Sequence, residues 1–328
     1  MFHYVCRRLL HSIPVVLGVS LLVFMIMHLT PGDPVAMMFG LEAGADPALM
    51  ESIRKELGLD QPLHIQYLRF LSNLVRGDLG RSLMTKDLVL DEITARLPAT
   101  LELAVSALVV SVIVGLLAGV LAAVTRNSKW DYMVTVSALF GASIPAFWFG
   151  LMMIYAFSVT RNWFPVSGRG GVLSAAIMAA ISGNRAMLTK ALSHLVLPSI
   201  TLGLPSAALI ARLTRSSMLE VLNQDYIRTA RSKGLSERVV TYRHALRNAL
   251  IPVVTMTGLQ FGYLLGGAVI TESVFAWPGV GRLVVLAIQQ RDYPVVQGVV
   301  MILALIFVGI NLFVDLTYGM LDPRIRYQ

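Results

Sequence analysis

One cysteine, Cys6, stands in 328 residues, so no internal disulfide and no thiolate cluster can form. Near a helix start it reads as a small apolar residue. Charge is scarce too: Asp, Glu, Lys and Arg make up 14% of the chain against 56% hydrophobic residues. A soluble domain carries about 25% charged residues. With a mean hydropathy of +0.70, that deficit indicates a polytopic membrane protein. The six histidines (His3, His11, His28, His64, His194 and His244) are scattered without ligand spacing, which argues against a metal site. There is no GxxxxGK(S/T) phosphate loop, so the chain is not expected to hydrolyse ATP by that route. HExxH, GxSxG and CxxC are missing as well, and no catalytic constellation emerges.

What is present is apolar length. A span needs about 20 mostly apolar residues to cross a hydrocarbon core of roughly 30 Å. Six windows qualify, at about 9–29, 101–124, 133–158, 194–213, 251–271 and 295–318. The first follows Arg7 and Arg8 but is too long for a signal peptide and lacks a small-x-small cleavage site, so it reads as a retained helix. The fourth is interrupted by Pro198, Gly203 and Pro205, breaks that neighbouring helices can accommodate. Gly115 and Gly119 have the small-xxx-small spacing of close helix packing.

Orientation follows from loop charge. With the N-terminus inside, the inner segments 1–8, 125–132, 214–250 and 319–328 hold 13 basic residues. The outer stretch 31–98 holds 7 basic against 10 acidic residues, so the positive-inside rule puts both termini in the cytoplasm. Within that stretch, 47–57 and 65–75 read as amphipathic helices separated by a break at Gly58–Pro62, a small external subdomain on the membrane surface. A second outer loop, 160–193, is rich in Gly and Ser and carries a short helix near 175–181.

His28, Glu102, Arg212, Glu272 and Asp315 are the ionisable residues in or near spans. Each sits within a turn or two of an expected helix end, where snorkelling lowers its cost; a role in a polar pathway is the alternative. Glu102 shows no evident partner in the sequence.

The inner loop differs in kind. Residues 216–222 and 226–232 read as helical, Gly234 supplies a sharp break, and Ser236 is placed to cap a second short helix through about Leu246 with Glu237 in its first turn. The expected result is helix–turn–helix with Gly234-Leu235-Ser236 at a projecting corner, suited to seat in a partner's groove. The competing reading is a basic loop bound to lipid headgroups.

Asp225-Tyr-Ile-Arg-Thr-Ala230-Arg-Ser-Lys-Gly234-Leu, followed by His244-Ala-Leu-Arg-Asn248, resembles the EAA loop of binding-protein-dependent ABC import permeases. More narrowly it resembles the first permease subunit of the dipeptide/oligopeptide/nickel family. Further segments carry the likeness along the chain: Thr30–Pro34, Leu57–Pro62, Gly77–Gly80, Ala99–Leu103, Arg215–Leu222, Glu272–Gly281, Arg291–Pro294 and Asp322–Arg326. One departure is Arg247, which stands where the general pattern has proline; dipeptide-type first subunits commonly show arginine there.

The resemblance implies an all-α, type I ABC importer permease fold with six transmembrane helices and an external helical subdomain between the first two. It divides the chain into a first segment 1–30, the subdomain 31–98, and a permease core 99–328 with a coupling loop at about 214–250. It implies a non-catalytic subunit of the bacterial inner membrane that binds no cofactor. The expected partners are a second homologous permease, two cytoplasmic ATPases holding ATP and Mg, and an external substrate-binding protein. Ala230, Gly234, Leu235 and Ser236 would form the contact corner, with Asp225, Arg228, Arg231 and Lys233 on its rim. His244 and Asn248 would anchor the returning helix, polar capping of the loop being the plainer account. Glu272, Phe275 and Trp277 would line the outer mouth, although both aromatics equally suit the membrane interface. The implied cargo is di- or oligopeptides; glutathione, nickel complexes, opines or oligosaccharides are alternatives within the family. A stand-alone channel or secondary transporter would call for inverted repeats or mid-membrane charge, and neither stands out.

Overall fold

Helix follows helix along the described chain, residues 2–29 and 47–321 of the computed structural model. In order these are α1 (Phe2–Leu29), α2 (Pro47–Leu57), α3 (Leu63–Val75), α4 (Val89–Val124), α5 (Lys129–Ser143) and α6 (Ala146–Met153), which a π-helical stretch Ile154–Val159 extends. Then come α7 (Leu173–Ile181), α8 (Arg185–Leu222), α9 (Asp225–Ser232) and α10 (Glu237–Val239). A second π-helical stretch, Val240–Ala245, leads into α11 (Leu246–Val274), followed by α12 (Val280–Gln290) and α13 (Tyr293–Leu321). Thr30–Pro34 and Asp322–Arg326, two segments carrying the family likeness, lie outside the described residues, as does the side chain of Asp315.

Among the described residues, four helices are long and apolar enough to cross a membrane: α4, α8, the run Glu237–Val274 and α13. The bent pair α5 and α6 passes the same test when taken together as one span, and α1 carries a shorter apolar run, Leu10–Ile26. Six membrane-crossing segments are therefore compatible with the structure. The third is not the single helix expected over 133–158. It is bent by 106°, because Pro145 has no N–H to continue the ladder and forces Ile144 into extended backbone (φ −77°, ψ 129°).

The fourth span shows the opposite outcome. Pro198 and Pro205 lie inside an unbroken α8. Its apolar window is 61% buried within the chain, the highest share of the four long spans, so packed neighbours hold the helix where the prolines remove its own bonds. Gly115 and Gly119 explain part of that packing. A Cβ on Gly115 would sit 2.7 Å from Ile210 Cβ, and one on Gly119 would sit 2.6 Å from the Ala211 carbonyl oxygen. The small residues thus let α4 and α8 meet backbone to side chain, as their spacing predicts.

Two of the remaining boundaries also move. α4 begins at Val89, so the expected domain boundary at 98/99 falls inside one helix that contains Pro98. The short helix expected after Ser236 does not stop near Leu246; through the π-helical stretch it continues into α11. The amphipathic α2 and α3 form as expected, with Gly58 at φ +70° between them. α3 rests on α1, where Tyr67 Oη and Ser20 Oγ lie 2.9 Å apart and the Phe24 and Tyr67 rings are 5.4 Å apart.

Candidate functional site

The polar corner is built from α9 and the segment returning to α11. α9 has one apolar face: Ile227 and Ala230 are buried against Met218, Val240, Ala245, Ala249 and Ala123. Burial of that face seats the short helix on the ends of α4, α8 and α11. The other face presents Asp225, Arg228, Arg231, Lys233, Gly234, Leu235 and Ser236 to the outside. Ala230, expected at the contact corner, instead lies beneath it, 7% exposed.

The chain turns at Gly234. Its φ of +78° is in the left-handed region, its N–H donates to the Arg231 carbonyl at 2.9 Å, and the Lys233 N–H donates to Thr229 at 3.1 Å. These bonds satisfy the last carbonyls of α9, and glycine meets the backbone requirement without strain. Ser236 occupies the N-cap position of α10, yet its side chain makes no capping bond. Glu237, in the first turn, reaches back instead: Arg231 Nε donates to its Oε1 at 2.9 Å and an Arg231 terminal nitrogen to Oε2 at 3.3 Å.

The returning arm is tied down by Asn248, whose Nδ2 donates to Tyr226 Oη at 2.8 Å and to the His244 carbonyl at 3.1 Å. His244 is half-buried and enters this link through its backbone. Tyr226 thus joins the site, and its place next to Asp225 in the motif is the signal for it in the sequence. A second brace lies beside the corner. Arg215 on α8 grips Asp131 at the start of α5 with two bonds of 2.6 and 2.8 Å, and the Asn127 N–H donates to the same carboxylate at 3.0 Å. No local pattern marks this pair, because its members lie 84 residues apart.

At the opposite end of α4, the strip Ala99-Thr100-Leu101-Glu102 receives two loops. Trp277 Nε1 donates to the Ala99 carbonyl at 2.9 Å. Thr100 Oγ1 donates to Glu272 at 2.7 Å and accepts from the Val280 N–H at 2.8 Å. Glu272 also accepts from the Arg282 N–H at 2.9 Å, so its buried carboxylate is satisfied by hydrogen bonds, as burial of such a group requires. Glu272, Phe275 and Trp277, expected to line a mouth, are turned inward instead, at 0, 2 and 0% exposure. The interfacial placement of the two aromatics does not hold either: Trp277 packs among α4 and α8 residues, and Phe275 is buried beside Gly150 of α6.

Glu102 does have a partner. It pairs with Arg169 from the 160–172 loop and accepts from the Leu173 N–H at 3.2 Å. The Arg169 guanidinium lies 5.9 Å from the Trp277 ring centre, and Gly168 N–H donates to the Phe275 carbonyl at 2.8 Å. A further clamp joins Asp292, between α12 and α13, to the Ser82 hydroxyl and to the Leu83 N–H at 3.1 Å.

An apolar cleft of about 410 Å³ opens between α4, α11 and α13, lined by Leu108, Phe261, Ile306, Ile310 and Phe313 among others. It offers almost no polar surface and is unsuited to a hydrated solute.

Residues 115–327 match the family described as binding-protein-dependent transport system inner membrane component, and residues 1–104 match its N-terminal counterpart. The chain is 47% identical to a di/tripeptide transport system permease protein of Pseudomonas aeruginosa. It is 46% identical to a dipeptide transport system permease protein and 45% identical to a glutathione transport system permease protein, both of Escherichia coli. Each of these matches covers 100% of both chains. Among solved structures, the MetNI methionine ABC transporter in inward-facing conformations aligns with a TM-score of 0.52 at 21% identity, over 68% of this chain and 93% of that one. An amino acid ABC transporter aligns with a TM-score of 0.51 at 14% identity, over 76% and 98%. At those identities the likeness is one of fold.

Proposed function

The chain belongs to the binding-protein-dependent transport system inner membrane component family and is a permease subunit of an ABC importer; we propose that it carries di- and oligopeptides inward, driven through the corner at Gly234. Full-length similarity to di/tripeptide and dipeptide permeases supports the cargo. The corner supports the drive: an apolar tip, Leu235 at 39% exposure, flanked by Lys233 and Arg238 on a turn held by buried packing. Such a tip fits a groove with an apolar floor and an acidic rim, as on a cytoplasmic ATPase.

In this reading two ATPases hold ATP and Mg, and their closure pushes the corners of this chain and of a second, homologous permease. The peptide route lies between the two permeases, consistent with the apolar character of the cleft inside this one. Both termini and the corner are cytoplasmic, in line with 13 basic residues on that side. The subdomain 31–98 faces outward and receives the substrate-binding protein. The Glu272–Trp277 turn closes the outer end of the core and holds it to α4.

Glutathione is the second reading, favoured by 45% identity over the full length to a glutathione permease. Reconstitution of the complete importer in liposomes separates the two. ATP-dependent uptake of radiolabelled alanyl-alanine, undiminished by excess glutathione, is the expected result. Uptake of glutathione with no uptake of dipeptide would reject the peptide assignment.

A further inference from the structure

We propose that Glu237 is a positioning residue for energy coupling: forked on the Arg231 guanidinium, it fixes the angle between the two arms of the corner. The inference rests on the coupling role given above to that corner and assigns a device within it.

Three observations carry it. First, the usual cap at this position is missing, because Ser236 makes no side-chain bond to the arm it begins. Second, the Glu237 carboxylate spans the turn with two bonds to Arg231, at 2.9 and 3.3 Å, one residue lying on each arm. A planar guanidinium meeting a carboxylate in this way fixes direction as well as distance. Third, the underside of the same corner is closed by Ile227 and Ala230 on one arm and Val240 and Ala245 on the other. The arms are therefore held from both faces, with Gly234, the one residue of positive φ in the turn, between them. A push at Leu235 then moves both arms together into α8 and α11 instead of bending the glycine.

The pair is partly exposed in the isolated chain, at 43% and 68% for the two side chains, where water weakens it. Seating in a groove removes that water and strengthens the same pair. The brace thus tightens on docking, when force has to be transmitted.

The test uses the complete importer in liposomes, with loaded binding protein, ATP and radiolabelled alanyl-alanine. Glu237→Ala and Glu237→Gln are expected to lower peptide transported per ATP hydrolysed about fivefold, the low end of coupling between sites. Maximal transport falls more than hydrolysis, and the apparent KM for loaded binding protein stays at the wild-type value. The exchange variant Arg231→Glu with Glu237→Arg keeps the net charge of the rim and restores the ratio. Unaltered ratios in the single variants would overturn the proposal, as would equal losses of transport and hydrolysis, or an exchange variant as poor as the single ones. ATPase subunits absent from the wild-type complex would instead reject the coupling reading on which the pair depends.

Discussion

The indole Nε1 of Trp277 donates to the carbonyl oxygen of Ala99 at 2.9 Å, joining a turn after α11 to the early part of α4 across 178 residues. With Thr100 bound to Glu272 and Glu102 bound to Arg169, three residues within one turn of α4 hold two separate loops. At the other end of α4, Ala123 packs into the cluster beneath the Gly234 corner. One helix thus connects the turn at Trp277 with the corner at Gly234.

Replacement of Trp277 by Phe removes the bond to Ala99 and keeps most of the buried ring. A loss of about 1–2 kcal/mol of stability is expected, against about 3–5 kcal/mol for Trp277→Ala, which also opens a cavity. Denaturation of the detergent-solubilised importer checks both values. Equal stability of all three proteins would refute a stabilising role for the Trp277–Ala99 bond.

Glu272 accepts from Thr100 and from the Arg282 N–H in a fully buried setting. Glu272→Ala should strand those donors and cost more than Glu272→Gln, which keeps one acceptor oxygen. The yield of assembled importer after membrane extraction should follow the same order. A Gln variant as poor as the Ala variant would mean that one acceptor oxygen is not enough to hold the site.

Asp131 and Arg215 form the two-bond pair beside the corner, with Asp131 buried and Arg215 about a third exposed. Removal of either partner is expected to cost about 1–3 kcal/mol, between surface and buried pairs. In a double-mutant cycle the second removal should then add little. Strictly additive losses would mean that the two side chains do not act on each other.

Gly234 has no neighbouring atom within 4 Å of an added Cβ, so its requirement is conformational. Gly234→Ala is expected to cost about 1–2 kcal/mol of the turn's stability. Asn, which tolerates the left-handed region, should cost less. Gly234→Asp adds a charge facing the expected acidic rim of the partner and should separate the ATPase from the permease while membrane insertion proceeds. Full peptide-stimulated hydrolysis by that variant would rule out contact at the corner.

Fusion of alkaline phosphatase to the C-terminus checks orientation. No phosphatase activity is expected, since the enzyme must leave the cytoplasm to fold. Strong activity would invert the topology.

Local signals made the apolar helices, α2, α3 and the turn at Gly234 legible in the sequence, because each is a matter of periodicity or of one residue's backbone freedom. The side chains brought together by folding were not. Glu102 and Arg169 are 67 residues apart, and Asp131 and Arg215 are 84 apart. Trp277 and Phe275 read as membrane-interface aromatics because their burial depends on helices distant in sequence, α4 and α8 around Trp277 and α6 beside Phe275. The bend at Pro145 was marked by the proline, but the apolar window ran across it and hid the break. Glu237 was legible as a first-turn acid, whereas its bond across the corner required the turn to be built.

We propose that the tip of the corner enters an ATPase groove. The most direct test is a photo-crosslinking amino acid at Leu235 in the assembled importer, with a matching probe at Val75 on the exposed face of α3. The Leu235 probe is expected to cross-link to the ATPase subunit and the Val75 probe is not. A Leu235 probe that labels lipid, with no adduct to the ATPase, would contradict the account.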